Sequence, residues 1–218
     1  MNGARRWDGD LAALAALMGL VALRFLPWWL SGQTPFWGDL TYLHHSWRTF
    51  DAQLLQSGRR PLWNPYLYFG MPQAAGMQDS LYYPGTVAHF IFGFASATAI
   101  FQALHYWLAA ALTYLWTRSA GARRGSALGA AVVVSLGGLL LARLQFLNWL
   151  AILSLAPSFL LFFRRPALLA VALALAFFAG YPPYVIGCAI SAWAVAAALR
   201  PPGGRFWAPA ARDWLSAA

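Results

Sequence analysis

The residues that could do chemistry are concentrated in one polar segment, residues 31–84, of an otherwise apolar chain. This segment holds three of the six acidic residues, Asp39, Asp51 and Asp79. Its stretch PLWNPYLYFGMP, residues 61–72, has three prolines and a glycine that exclude a regular element, together with four aromatic side chains. Aromatic rings can stack on sugar faces, but Trp and Tyr are also enriched where protein meets lipid headgroups. Both interpretations of the stretch stay open.

An amphipathic helix is predicted from Asp39 to about Gln56. Apolar side chains recur there at three- and four-residue spacing, at Leu40, Leu43, Trp47, Phe50 and Leu54. A second stripe with helical spacing consists of His44, Arg48 and Asp51. We expect the apolar stripe to lie on the membrane surface and the polar stripe to face water or a cleft.

Composition excludes a soluble domain. Hydrophobic residues make up 61% of the 218 residues and charged residues 10%, against about 25% charged in soluble proteins. The net charge of +9 comes from fifteen arginines, with no lysine. They sit in pairs or short groups between apolar runs, as in membrane proteins, so we expect no nucleic-acid partner. Cys188, the single cysteine, lies inside an apolar run and can form neither a disulfide nor a thiolate metal site within the chain.

The expected fold is an all-α polytopic membrane protein with about six transmembrane helices, because several apolar runs approach the roughly 20 residues that a span requires. The predicted spans are residues 11–30, about 98–117, 127–142, 146–163, 167–180 and 184–199. The last two flank Tyr181, Pro182 and Pro183, which favours a tight helical hairpin.

Arginine placement predicts that the N-terminus is cytoplasmic. Nine of the fifteen arginines then face the cytoplasm: Arg5, Arg6, Arg118, Arg123, Arg124, Arg164, Arg165, Arg200 and Arg205. The chain divides into residues 1–30 with the first span, an extracytoplasmic loop with surface helices at 31–97, a transmembrane bundle at 98–199, and a cytoplasmic segment at 200–218. We expect this last segment to continue in a longer protein.

Several motifs in order resemble the YfhO-like family of bacterial membrane proteins, within the GT-C glycosyltransferase superfamily. They are GDLTYLHHSW, PLWNPYLYFGMP, MQDSLYYP, the H-x-x-L-A pattern that begins at His105, and FFAGYPPY. The chain departs from the family at Tyr181 and Pro183, where His and Gln would be expected. Family members are several times longer, so the chain resembles an N-terminal portion with a GT-C-like module.

The resemblance implies transfer of a sugar from a polyprenyl-phosphate carrier to a cell-envelope acceptor, on the outer side of a bacterial inner membrane. Such transfer needs a carboxylate to take the acceptor's proton and cations to hold the phosphate. Asp39, just after the first span, is the predicted base, although an Asp there could also be a helix N-cap. Asp79 is the second catalytic candidate, or else a turn former, and Asp51 is expected to pair with Arg48.

For the phosphate, Arg24 and Arg143 lie near the predicted outer interface, where they could also snorkel to ordinary headgroups. Arg59 and Arg60 are further candidates. A Mg²⁺ or Mn²⁺ ion, if one binds, would use Asp39, Asp79 and water. The expected sugar or acceptor contacts are His44, Arg48, Trp63, Asn64, Tyr66 and Gln78.

Two other classes of function stay open. A transporter or flippase of a lipid-linked substrate would carry ionisable residues within its spans or inverted repeats, and the predicted spans hold little beyond Arg24, His105 and Asn148. A non-catalytic scaffold would use the outer loop as a docking surface, and no feature of the sequence speaks against it.

Overall fold

The computed structural model describes residues 4–34 and 36–199. Within this part of the chain the fold is all-helical, and the extended structure is a single isolated bridge between Asn64 and Met71. The segment 200–218 with Arg200 and Arg205 lies outside the described residues, and so do the side chains of Arg5 and Arg6.

The helices follow the predicted order closely. Their bounds are α1 Ala4–Ser31, a π-helical turn Leu40–His44, α2 His45–Gln56, α3 Gln73–Gly76, a 3₁₀ turn Pro84–Val87, α4 Ala88–Ile91, α5 Phe94–Ser119, α6 Arg124–Leu136, α7 Gly138–Ala142, α8 Leu147–Leu161, α9 Pro166–Phe178 and α10 Pro182–Ala198. The predicted amphipathic helix is the π-helical turn together with α2. Helix α5 begins four residues before the predicted position at Thr98, and α9 and α10 form the predicted hairpin.

Two helical stretches of the described chain are long and apolar enough to cross a membrane. They are Gly9–Ser31 within α1 and Arg124–Ala142, which joins α6 and α7 across a break at Gly137. Only 22% of the apolar window of each is buried inside the protein, so most of its side chains face outward. That exposure fits a lipid-facing helix better than the core helix of a soluble protein.

Helix α5 is the centre of the bundle, with α1, α6 and α8 packed around it, while α9 and α10 pack on α8. Small side chains allow this close approach, since Ala109, Ala110 and Ala127 are fully buried where α5 meets its neighbours. The π-helical turn and α2 together are called the surface helix. Leu40 at its start belongs to the same apolar core as Leu147 of α8. The polar segment is therefore anchored directly to the bundle.

A buried carboxylate, Asp10, ties α1 to α5 and α6. Its Oδ1 accepts hydrogen bonds from the Tyr114 hydroxyl and from Nε of Arg118 and of Arg124, at 3.1 and 3.4 Å for the two arginines. Asp10 had no role in the sequence analysis. Two of the arginines that were used to predict the cytoplasmic side are thus paired with it, and the ends of three helices meet at one cluster.

Candidate functional site

The polar stripe of the surface helix faces the protein interior. His44, Arg48 and Asp51 are 2%, 1% and 1% exposed. Of the two predicted surroundings, water is therefore excluded, whereas Arg48 does line a cleft. The Arg48 guanidinium carbon lies 4.6 Å from the centre of the Phe101 ring on α5. Its Nη1 donates to the His89 ring, 3.2 Å from Nδ1. Arg48 is thereby enclosed between α2, α4 and α5.

Two buried carboxyl groups, Asp51 and Asp79, form what we call the acid pair, beside Arg48. The Gln73 side-chain amide donates to Oδ1 of Asp51 at 3.1 Å, and the backbone N–H of Leu81 donates to Oδ1 of Asp79 at 3.1 Å. Oδ2 of Asp79 has no hydrogen-bond partner in the described structure. Asp51 and Arg48 are therefore close, as predicted, but within an interior cluster and not as a surface ion pair.

Burial sets the protonation of this cluster. It raises the pKa of Asp51, and the neighbouring Asp79 carboxylate adds to that effect, giving about 8. Burial also raises the pKa of Asp79, while Arg48 and the Leu81 N–H oppose that shift. Burial lowers the pKa of Arg48 to about 9, against the attraction of both carboxylates. At neutral pH Asp51 therefore holds a proton. Arg48 and the Leu81 N–H favour the ionised form of Asp79.

The histidines around the cluster are neutral. Burial, then the charge of Arg48, lowers the pKa of His89 to about 2, so its ring can accept the hydrogen bond from Arg48. Burial also lowers the pKa of His44 far below its usual value, and its Nε2 accepts from the backbone N–H of Leu147. His105 accepts from the Tyr83 hydroxyl at 2.7 Å through Nε2 and donates to the Phe101 carbonyl through Nδ1. These rings are structural hydrogen-bond partners.

An amide relay connects residues 61–72, which we call the aromatic loop, to the acid pair. Asn64 donates to the Gln73 side-chain oxygen at 3.1 Å, and Gln73 in turn donates to Asp51. The Asn64 side-chain oxygen accepts from the Tyr66 N–H, while its backbone exchanges two hydrogen bonds with Met71. Asn64, predicted as a sugar or acceptor contact, is buried and orients Gln73.

Asp79 opens onto a cleft of about 270 Å³, which we call the Asp79 cleft. Its lining combines aromatic and apolar side chains with two amides and a carboxyl group: Leu43, Trp47, Tyr68, Met71, Gln73, Gly76, Gln78 and Asp79. Stacking surface beside hydrogen-bonding groups suits an amphipathic ligand such as a sugar ring.

The turn between α9 and α10 contacts residues 77–83, which we call the Asp79 loop, and holds them in place. The Ser80 hydroxyl donates to the Ala179 carbonyl at 2.7 Å. Gly180 has φ +103°, and a Cβ there would lie 2.2 Å from the Met77 carbonyl oxygen. The motifs FFAGYPPY and MQDSLYYP, far apart in the chain, are therefore packed against each other.

The other predicted catalytic residue, Asp39, occupies the N-cap position of the π-helical turn, half-buried, and its side chain makes no capping hydrogen bond. The N-cap alternative is thus not supported. No group of three or more His, Cys, Asp or Glu side chains that could hold a metal ion occurs in the described residues. Asp79 lies beside a guanidinium instead, which disfavours a cation at that carboxylate.

The four arginines predicted to bind phosphate lie elsewhere. Arg24 stacks on Trp28 at 5.0 Å, and Arg143 stacks on Trp149 at 4.8 Å. Arg59 and Arg60 are exposed. The cation beside the acid pair is Arg48, which had been assigned to sugar or acceptor contact.

Trp63 and Tyr66 are largely exposed on the aromatic loop, and Gln78 lines the Asp79 cleft. The structure thus brings together five of the predicted site residues: His44, Arg48, Asn64, Gln78 and Asp79. Gln73 and His89 also belong to this site and were not predicted, and Asp51 was predicted only as a partner of Arg48. Helical spacing gave the Arg48–Asp51 pair but no sign that it would be buried beside Asp79.

Comparisons with family models, with curated proteins and with solved structures found no match. The resemblance to the YfhO-like family therefore stays a prediction.

Replacement of Gly180 tests the contact that positions Asp79. Gly180→Ala places a methyl group against the Met77 carbonyl and forces a non-glycine residue into positive φ, so we expect a loss of about 1–3 kcal/mol of stability. The measurement is thermal unfolding of the purified protein in detergent. Gly187→Ala on α10 is the matched control, because a Cβ there meets nothing within 4 Å. Equal melting temperatures for the two variants would contradict the assigned contact.

The protonation of Asp51 predicts a pH-dependent stability. The folded state keeps the Asp51 proton up to about pH 8, whereas the unfolded chain releases it near pH 3.8. This contribution is complete below pH 3.8 and is lost as the pH rises toward 8, by up to about 1.4 kcal/mol per pH unit. Asp51→Asn keeps an acceptor for Gln73 and cannot ionise, so its melting temperature should fall less.

The stability should be compared between pH 6.5 and pH 8. Below pH 6.5, His89 becomes protonated in the unfolded chain but not in the folded protein, where its pKa is about 2, and this adds a second pH dependence. Asp39→Asn, the same substitution at a half-buried position, should retain the wild-type slope. Parallel slopes for wild type and Asp51→Asn would show that Asp51 is ionised throughout this window.

Proposed function

We propose that the chain is a membrane glycosyltransferase, or the N-terminal part of one, that transfers a sugar from a polyprenyl-phosphate carrier to a cell-envelope acceptor. The observation that carries the proposal is the acid pair, which is buried beside Arg48 and reaches an aromatic-lined cleft through Asp79. Asp79 is the proposed general base, and Asp39 is the second candidate.

The chemistry required of the protein is modest. The acceptor hydroxyl attacks the anomeric carbon, the bond to the carrier phosphate breaks, and the acceptor's proton passes to the carboxylate of Asp79. Its raised pKa favours this step, because a base works best when its pKa lies close to the working pH. Trp47 and Tyr68 supply stacking surface for the sugar, and Gln78 supplies an amide.

The proposed architecture has six spans, formed by α1, α5, α6 with α7, α8, α9 and α10, with the acid pair on the extracytoplasmic side of a bacterial inner membrane. The contacts support this alternation. Asp10, Arg118 and Arg124 meet where α1 begins, α5 ends and α6 begins, which this topology places in the cytoplasm. The contacts of His44 with α8 and of Ser80 with the α9–α10 turn lie at the opposite ends of the helices.

The surface helix fits a position at the membrane interface. Its polar stripe is buried in the protein, while Leu43, Trp47, Phe50 and Leu54 stay half-buried. A half-exposed apolar stripe of this kind is favourable against headgroups and the upper acyl chains. Such a position would hold the Asp79 cleft at the level where a carrier phosphate lies.

Topology can be tested with single cysteines in a Cys188→Ala background. We expect Ser57→Cys, exposed just after α2, to react with a membrane-impermeant maleimide added to intact cells. Ser126→Cys, equally exposed at the beginning of α6, should react only after the membrane is permeabilised. The reverse labelling pattern would exclude the proposed orientation and the extracytoplasmic reaction with it.

The assignment of the base can be tested in proteoliposomes that contain a radiolabelled polyprenyl-phosphate sugar and an envelope acceptor fraction. Asp79→Asn should reduce transfer at least about a hundredfold, because it removes general base catalysis. Asp39→Asn is the matched comparison, since Asp39 is half-buried and makes no capping hydrogen bond. Loss of transfer in Asp39→Asn alone would move the base to Asp39.

The same vesicles separate the alternative functions. Movement of the labelled lipid across the bilayer without glycosidic product would indicate a transporter or flippase. Binding of the acceptor fraction without transfer or movement would indicate a scaffold.

A further inference from the structure

A second cleft, of about 210 Å³, lies on the other side of α2, against α4 and the beginning of α5. We call it the Arg48 cleft. Its lining residues are Arg48, Thr49, Ala52, Gln53, Gln56, His89, Ile91, Phe92, Gly93 and Phe94. Arg48 does not line the Asp79 cleft, and Asp79 does not line this one.

Arg48 brings two unpaired hydrogen-bond donors to this cleft. The side chain is 1% exposed, and its Nε and Nη2 have no hydrogen-bond partner in the described structure. A buried guanidinium normally uses its donors, since an unpaired buried donor is costly. Nη1 alone is engaged, with the neutral ring of His89.

The N-terminus of α5 faces the same cleft through Gly93 and Phe94. This helix has 26 residues, and its N-cap Gly93 offers no side chain to accept from the first backbone N–H groups. Free N–H groups and the positive end of the helix dipole favour an anion. The helix terminus and the buried guanidinium are independent features that converge on one cavity.

The remaining lining is suited to an anion as well. Thr49 and Gln53 provide neutral hydrogen-bond donors, the Gln56 amide donates to the Phe90 carbonyl at 3.1 Å, and no carboxyl group lines the cleft. This contrasts with the Asp79 cleft, which contains a carboxyl group.

We propose that the Arg48 cleft binds a phosphoryl group, held by the Arg48 guanidinium, the N-terminal N–H groups of α5 and the amides of α2. The proposal rests on the proposed function only in assigning that group to the lipid carrier. Because Arg48 also balances the acid pair, an anion in this cleft is coupled to the charge of Asp79 on the other side of α2.

Two matched variants test the site. Gln53→Glu and Gln78→Glu are the same near-isosteric change at exposed positions, one lining each cleft. Each adds one negative charge to the protein. We expect Gln53→Glu to weaken phosphate binding about tenfold or more, through repulsion at short range, and Gln78→Glu to weaken it less than about twofold.

Binding is measured by titration calorimetry on the full chain in detergent, with inorganic phosphate and with farnesyl monophosphate, and with farnesol in the same micelles as the blank. The site is supported if Gln53→Glu weakens the binding of both inorganic phosphate and farnesyl monophosphate and Gln78→Glu does not. Farnesyl phosphate binding that is much tighter than inorganic phosphate binding then identifies a lipid source, and similar affinities identify free phosphate.

Equal effects of the two variants, a larger effect of Gln78→Glu, or no phosphate binding by the wild-type chain would overturn the proposal. None of these measurements requires sugar transfer, so loss of this site and loss of the proposed enzymatic function are distinguishable. If the chain binds phosphate in this way but transfers no sugar, the phosphate site stands and the proposed enzymatic function does not.

Discussion

The burial of Arg48 is the constraint on which the rest of the polar segment depends. A guanidinium removed from water is costly unless charges and hydrogen bonds replace its hydration. Here the replacements come from three directions: the acid pair, the His89 ring and the face of Phe101. The segment must therefore fold so that α2, the Asp79 loop and α4 all reach one point on α5. A chain that failed to deliver any one of them would leave an uncompensated buried charge.

The carboxylates impose a second requirement, because two acids beside one arginine cannot both ionise without cost. Retention of a proton on Asp51 removes one of the two charges. Arg48 favours ionisation of Asp79, and Asp79 is the acid that reaches a cleft. The amide relay through Gln73 and Asn64 fixes the buried acid, whereas Oδ2 of Asp79 has no hydrogen-bond partner in the described chain. Asp51 is thus held within the interior by the relay, and Asp79 is the acid that lines a cleft. This division of roles follows from hydrogen bonding and burial.

Most of the fold could be predicted from the sequence, and most of the site could not. Apolar runs bounded by arginine or proline locate the long helices to within a few residues, and regular spacing locates α2. Which face of α2 is buried could not be predicted, because the polar stripe is the interior one and its partners Asp79 and His89 come from distant parts of the chain. Local spacing carries no information about such pairings. Asp39 seemed the better base because it adjoins the first span, yet proximity along the chain did not bring it into the buried cluster.

Helix α5 connects two clusters of charge, and their separation has a physical consequence. Phe101, which stacks on Arg48, and Arg118, which pairs with Asp10, lie on the same helix about 26 Å apart at about 1.5 Å per residue. That distance is close to the roughly 30 Å of a bilayer's hydrocarbon core. In the proposed topology, charges at the two ends of α5 avoid the cost of ions at mid-membrane. The buried His105 between them is hydrogen-bonded to Tyr83 and to the Phe101 carbonyl. The proposed crossing of α5 is therefore compatible with its charges, because Arg48 and the Asp10 cluster lie about one hydrocarbon thickness apart along it.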